Sequence, residues 1–313
     1  MRILVAEDET IIRLDLCGLL ERAGYEVVAV DDLSTGRREQ VTDLLAEPGF
    51  SLLERDVVTG LAVEGPVDAV LHLASAASVP EYLSRPLETL RVGSEGTRHA
   101  LELARAHEAR FLMASTSEIY GDPLEHPQRE SYWGHVNPVG LRSVYDEAKR
   151  YAEALTMAYH RTFGLDAKIV RIFNCYGPGL LPGDGRVVSN FLAQALRGEP
   201  LTVYGDGTQT RSFCYVDDEV RGIRALLESD WVGPMNVGSP EEHTVLELAK
   251  LALEVTDSAS SIVFSALPLD DPIRRCPDIT LARTRLGWSP EVTLREGLAR
   301  TGAWYRTQLG AGA

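Results

Sequence analysis

Tyr145 and Lys149, in the stretch YDEAK, stand four residues apart, so any helix that carries them presents both on one face. An ammonium beside a phenol favours phenolate, and such a pair makes a base able to take a proton from a hydroxyl group. Alone, Y-x-x-x-K is equally an exposed pair on an ordinary helix. A second group, Ser115, Thr116, Ser117 and Glu118, follows the apolar run ARFLMA and so stands at the carboxyl end of a buried strand. Hydroxyls there can hydrogen-bond a reacting oxygen, and a carboxylate can relay a proton. The structural alternative is a Ser/Thr cap for the next helix.

These residues need a frame, and the apolar pattern supplies one. Residues 2–6 (RILVA) form a strand-like run, and Ile12, Leu16, Leu19, Leu20 and Ala23 then recur at helical spacing as far as Gly24. YEVVAVD at 25–31 closes a β-α-β opening, and VDAVLHLAS (67–75), ARFLMAST (109–116) and AKIVRIF (167–173) continue the series. Strands alternating with helices predict an α/β fold: a doubly wound parallel sheet with ligands at the carboxyl ends of its strands. Beyond about residue 174 the texture changes to Gly/Pro punctuation, as in CYGPGLLPGDG. We expect two parts, residues 1–174 and a smaller lobe mainly within 175–313, interleaved and without a linker.

Composition narrows the function. At 313 residues, with 44% apolar and 25% charged side chains, the chain is neither disordered nor fibrous. It has no apolar run of spanning length, and MRILVAEDE turns acidic before a signal-like stretch develops, so the expectation is a cytoplasmic protein with no membrane partner. A net charge of −15 argues against nucleic acid, although a few converging arginines would still admit a small anion. Cys17, Cys175, Cys214 and Cys276 are widely spaced with no C-x-x-C pair, so neither a metal nor a disulfide framework is expected.

The stretch STSEIYGDPLEHPQRESYWGHVNPVGLRSVYDEAKRYAE, together with RIFNCYGPG, GDGRVVSNFLAQALRGEPLTVYGDGTQTRSFCYV and RRCPDI, resembles the UDP-glucuronic acid decarboxylases, or UDP-xylose synthases. These are a branch of the extended short-chain dehydrogenase/reductase family. The resemblance implies a Rossmann-type NAD-binding domain with a nucleotide-sugar lobe, usually as a homodimer. It implies conversion of UDP-glucuronate to UDP-xylose through a UDP-4-keto intermediate. By motif, Tyr145 would be the base at the sugar C4 hydroxyl and Lys149 its partner and a ribose ligand. Thr116 or Ser117 would bond the C4 oxygen, Glu118 would serve decarboxylation and protonation, and Arg275 would hold the sugar carboxylate. Arg186, Arg211, Asn174 and Tyr159 match nucleotide-sugar contacts, with Tyr82 a further one. On the cofactor side, Asp31, with Asp32, Thr35 and Gly36 in VDDLSTG, would take the adenosine ribose and select NAD. Asp56 would lie near the adenine and Leu73 beneath the dinucleotide. An inactive nucleotide-sugar-binding protein and a UDP-sugar 4-epimerase are the alternative readings.

The opening departs from this pattern. Where the family carries T-G-x-x-G-x-x-G, this chain has Ala6, Glu7, Thr10 and Arg13, so the turn that should receive the pyrophosphate has no glycine. Glu7, Asp8 and Glu9 put carboxylates at a helix N-terminus that normally attracts an anion. Two like charges about 5 Å apart at an effective dielectric of about 20 repel by roughly 3 kcal/mol, on the order of a hundredfold in affinity. Glycine and histidine also stand at Gly93 and His99, near which the family carries asparagines. RILVAEDETIIRLDLCGLLERAGYEVV instead resembles the start of a response-regulator receiver domain, with Glu7 and Asp8 as its acidic pair. A chimera and natural divergence both account for residues 1–28.

Overall fold

Seven strands form one parallel sheet: β1 (Arg2–Ala6), β2 (Glu26–Asp31), β3 (Phe50–Glu54), β4 (Ala69–His72), β5 (Arg110–Thr116), β6 (Ala167–Ile172) and β7 (Gly233–Val237). The structure is a computed structural model, and it describes residues 1–6, 10–35, 38–267 and 274–310. The strand order is β7-β6-β5-β4-β1-β2-β3. Register pairs Ile3 with Val27 on one side and with Ala69 on the other. The order reverses between β1 and β4, which opens a crevice at their carboxyl ends.

Alternation along β1 shows why the sheet is covered twice. Ile3 and Val5 enter one apolar core with Leu16, Leu20, Val220, Leu248 and Tyr305, while Leu4 and Ala6 enter another with Val70, Leu101, Phe111 and Met113. Period-two side chains on a strand apolar at every position demand helices on both faces. The first core draws on residues from both ends of the chain, so the C-terminal part packs as continuous interior with the sheet.

Two edge strands were not legible as apolar runs. β3 has only Phe50 fully buried, and β7, GPMNV, begins with glycine and proline. β7 lies well past residue 175 yet pairs with β6 from Gly233–Lys168 to Val237–Ile172. Residues beyond 175 therefore complete the sheet as well as forming short strand sets outside it. In one of these Thr210–Ser212 lies between Glu242–Thr244 and Arg274–Arg275, with Arg275 in register with Arg211.

Candidate active site

The helix Ser143–Phe163 runs beneath the carboxyl ends of β5 and β6 and ends where Gly164 turns left-handed at φ 72°. Its first turns carry Tyr145 and Lys149, both about 5% exposed. Lys149 Nζ donates to the Ala114 carbonyl at 2.9 Å and lies 5.7 Å from the Tyr145 ring centroid. The Thr116 hydroxyl acts as the cap: it accepts from Glu118 N at 3.2 Å at the start of the turn Ser117–Tyr120, and it also hydrogen-bonds the Tyr145 phenol. Tyr82 stacks on Tyr145 with centroids 5.2 Å apart and planes 7° apart.

The expectation that Lys149 lowers the Tyr145 phenol is corrected here. Burial raises it well above the ordinary phenol value, and the nearby Glu118 carboxylate adds to the rise, against the Thr116 hydrogen bond. A low-dielectric surrounding penalises phenolate more than one ammonium beyond the ring offsets. Deeper still, burial and then Lys149 push the His72 imidazole down to about 3, so the ring that contacts Thr97 Oγ1 at 3.1 Å is neutral.

Glu118 is held by two arginines. Arg275 grips both carboxylate oxygens, with Nη2–Oε2 at 3.0 Å, and Arg142 Nη2 donates to Oε2 at 2.8 Å. Burial alone would raise this carboxyl, but the two guanidinium groups outweigh it and bring it to about 2. Arg142 was missed from the sequence, although in GLRSVYDEAK it stands three residues before Tyr145, at helical spacing. Asp146 was missed too. It is 6% exposed, and burial followed by the Glu118 charge pushes it up to about 7.

What sets Arg275 against Glu118 is a buried amide 148 residues away from its neighbour. Gln128, fully buried, accepts from Cys276 N at 2.9 Å through Oε1 and donates to the Glu125 carbonyl at 2.7 Å. Its own carbonyl accepts from Asn236 Nδ2 at 3.0 Å. Asn236 in turn accepts from the Tyr120 hydroxyl at 2.7 Å, and Arg171 bridges Tyr120 to Glu153, which receives Ser115 Oγ at 2.6 Å. The HPQ segment thus locks β5, β7 and the Arg275 strand into one geometry. Gly121 belongs to this lock: a Cβ there would meet the His135 carbonyl oxygen at 2.1 Å.

A cavity of about 420 Å³ opens at this point. Thr116, Ser117, Glu118, Tyr145, Lys149 and Leu73 line it together with Asn174, Arg186, Arg211 and Arg275. Asn174 Nδ2 donates to the Ser212 carbonyl at 2.9 Å, Arg211 Nη1 to the Thr210 carbonyl at 2.8 Å, and Arg186 pairs with Asp184 at 3.2 Å. Four arginines and one lysine against one carboxylate make the lining cationic in a chain of net charge −15. Arginines converge in one cleft, as an anionic ligand requires.

Tyr159 does not belong to this group. It lies near the far end of the Ser143–Phe163 helix, with its hydroxyl on Glu102 and its ring against Phe163 at 5.4 Å. A motif match placed it in the site, but fourteen residues of helix carry it about 21 Å from Tyr145. His99, at the asparagine position, turns to the Val57 carbonyl at 3.0 Å instead of lining the cavity. At Gly93 a Cβ would meet Ala148 Cβ at 2.7 Å, so a larger residue does not fit.

The expected ribose side lies along the ends of β2 and β3. Asp31 is buried, with Oδ1 accepting from Leu33 N at 2.6 Å, and Asp32 accepts from Ser34 N at 2.9 Å. Thr35 follows in the same turn, and Asp56 caps the turn after β3 by accepting from Val58 N at 2.8 Å. The buried Asp31 carboxylate ending β2 can accept from ribose hydroxyls and the buried Lys149 ammonium can donate to them, a pair that fits a dinucleotide. Gly36, Glu7, Asp8 and Glu9 lie outside the described residues, as do the side chains of Thr10 and Arg13.

Comparison with known proteins adds an independent line. The model of the NAD dependent epimerase/dehydratase family matches residues 15–238. The chain is 49% identical to UDP-glucuronic acid decarboxylase 1 of Arabidopsis thaliana over 99% of its own length and 71% of the relative's. It is 46% identical to UDP-glucuronic acid decarboxylase 1 of Xenopus tropicalis, over 98% of this chain and 73% of the other. Among solved structures, the UDP-glucuronic acid 4-epimerase of Bacillus cereus, in complex with UDP-glucuronic acid and NAD, superposes with a TM-score of 0.87 at 26% identity, over 98% of this chain and all of that one. The receiver-like reading of residues 1–28 has no counterpart among these matches.

Proposed function

The chain belongs to the NAD dependent epimerase/dehydratase family, and from that premise we propose that it decarboxylates UDP-glucuronate to UDP-xylose with NAD as its cofactor. The observation that carries this reading is the meeting of Arg275 and Glu118 beside Tyr145 in one cationic cavity. A 4-epimerase of a neutral sugar needs only the base and the hydroxyls. An arginine–carboxylate pair at the same point suits a substrate that carries a carboxylate, and the identity to UDP-glucuronic acid decarboxylases favours its loss over 4-epimerisation.

Asp31 and Lys149 would hold the ribose groups of NAD, which when bound would supply reversible hydride acceptance at the sugar C4. Acting as phenolate, Tyr145 takes the proton from the C4 hydroxyl; the Thr116 hydrogen bond favours that form against burial, and Lys149 Nζ lies 5.7 Å from the ring centroid. Ser117 and Thr116 orient the C4 oxygen. With C4 a ketone, the C6 carboxylate is a β-keto acid. Its C5–C6 bond breaks, the electron pair passes into the enolate, and carbon dioxide leaves. Arg275, with Arg142 behind it, holds the carboxylate before that step. Arg186, Arg211 and Asn174 bind the UDP portion, since guanidinium groups suit a diphosphate.

We assign the protein to the cytoplasm; among the described residues no helix is long and apolar enough to cross a membrane. A homodimer is supported by Leu87, Tyr151 and Phe163, which are 70%, 52% and 53% exposed on the helices Pro86–Arg91 and Ser143–Phe163. Light scattering tests it.

Purified protein given UDP-glucuronate labelled at C6, with millimolar NAD, should release labelled carbon dioxide and leave UDP-xylose or its 4-keto precursor. Retention of label in a 4-epimer refutes decarboxylation, and no product at all refutes turnover. Calorimetric titration with UDP and with NAD separates an inactive sugar-nucleotide binder, which would take up UDP alone.

A further inference from the structure

The proposed reaction has a proton balance that the groups around C4 do not close. The proton Tyr145 removes from the C4 hydroxyl returns to that oxygen when the ketone is reduced. Loss of neutral carbon dioxide leaves an enolate, and the new C5–H bond takes a proton that no other step supplies. One solvent proton must therefore enter the site in each turnover.

Behind Glu118 lies a second cavity of about 290 Å³, lined by Gly121, Asp122, His135, Asn137 and Asp146. Glu118, Arg142 and Arg275 line both cavities and so form the wall between them. Most of the residues that line it are polar or charged, and its volume is ample for water. His135, exposed, stands on the same lining with Nδ1 at 3.1 Å from the Asp122 carbonyl. Asp146 is almost fully buried, and its Oδ1 has no hydrogen-bond partner among the described residues. It follows Tyr145 on the helix, yet none of the roles assigned above uses it.

Resting on the decarboxylase reading, we propose that this second cavity is the route by which solvent protons reach C5, with Asp146 passing them through the shared wall to Glu118. Asp146 acts through Glu118, so it is a positioning residue for the proton and does not itself touch the sugar. The groups that act on it are Glu118 from the end of β5, Arg142 ahead of its helix, Tyr82 from Val79–Ser84, Arg275 from the C-terminal lobe, and Glu147 on its own helix. Burial, then Glu118, holds its carboxyl up near 7, where it is protonated for part of the time at neutral pH and can be recharged from water. In the structure Glu118 is a poor acceptor because two arginines hold it ionised. A sugar carboxylate placed on Arg275 competes for those same guanidinium groups, and two carboxylates sharing one pair of cations favour a proton on one of them.

The test is Asp146→Asn in the full chain, with NAD and UDP-glucuronate. The expected result is a kcat lower by about tenfold or more, as for loss of a proton-transfer group, with KM for UDP-glucuronate within about twofold. The parent's rate should fall as pH rises through about 7 and Asp146 loses its proton. The Asn variant should lose that limb, and Asp146→Glu, which keeps a carboxyl, should recover part of the rate. Independently of turnover, infrared difference spectra of the parent protein should show a protonated carboxyl band that disappears across the same pH range and is absent from the Asn variant. A variant with the parent's rate and pH profile overturns the proposal, as does the absence of the band. Parent protein that releases no carbon dioxide refutes the decarboxylase reading and the relay with it, whereas active parent protein with an indifferent Asn variant refutes the relay alone.

Discussion

Replacing Arg275 by alanine removes the bidentate partner of Glu118 and leaves a mostly buried carboxylate with Arg142 as its remaining arginine. The side chains are 3% and 18% exposed, with Nη2–Oε2 at 3.0 Å, so the pair lies largely out of water. Charge centres about 4 Å apart at an effective dielectric of about 20 attract by roughly 4 kcal/mol. Breaking one side of such a pair costs about 3–5 kcal/mol, and Arg142 keeps the loss near the lower end. At about 2 °C per kcal/mol for a chain of this size, the melting temperature should fall by roughly 6 °C. Much of that loss is the penalty of the stranded charge. Glu118→Gln combined with Arg275→Ala should therefore melt higher than the two single losses sum to, with a coupling of at least about 1 kcal/mol. The assay is thermal unfolding of parent, both single variants and the double variant, followed by circular dichroism. Arg275→Ala melting within about 1 °C of the parent, or a coupling near zero, would refute the reasoning that this pair is buried and mutually dependent.

Other outcomes follow from the same geometry. Glu118 sits at about 2, below its ordinary value of 4.5, so its pairing stabilises the fold above the carboxylate range and the gain is lost as pH falls from 4.5 towards 2; it amounts to about 3 kcal/mol at neutral pH, and acid unfolding of Glu118→Gln should lack that component. Gln128→Ala leaves the Cys276 amide without its buried acceptor, which should cost about 1–3 kcal/mol in urea unfolding and lower carbon dioxide release by loosening Arg275. Gly93→Ala should destabilise by about 1–3 kcal/mol, because its Cβ would fall 2.7 Å from Ala148 Cβ. Tyr159→Phe should leave KM for UDP-glucuronate unchanged, since its hydroxyl is engaged with Glu102 away from the cavity.

Much of the site could be read from sequence because its signals are local. Tyr145 and Lys149 share a helix face by spacing alone, and Thr116, Ser117 and Glu118 end an apolar strand; all five line one cavity. Arg186, Arg211, Asn174 and Arg275 were reached through motif resemblance, and they line it too. Tyr159 shows where that route fails. A match in aligned position says nothing of distance along a helix, and its ring packs on Phe163.

The sequence by itself determined the alternation of strand and helix, the two-sided burial of β1, and the helix face shared by Tyr145 and Lys149. Each follows from periodicity within a dozen residues. Tertiary structure alone decided that β7 returns to pair with β6, and that Arg142 and Arg275 close on Glu118 from 24 and 157 residues away. It also decided the ionisation of the site, lowering Glu118 and raising Tyr145 and Asp146. Those values depend on which charges and how much low-dielectric interior the fold gathers around a group, and that closure is made by Gln128, Asn236 and Tyr120 acting across the whole chain.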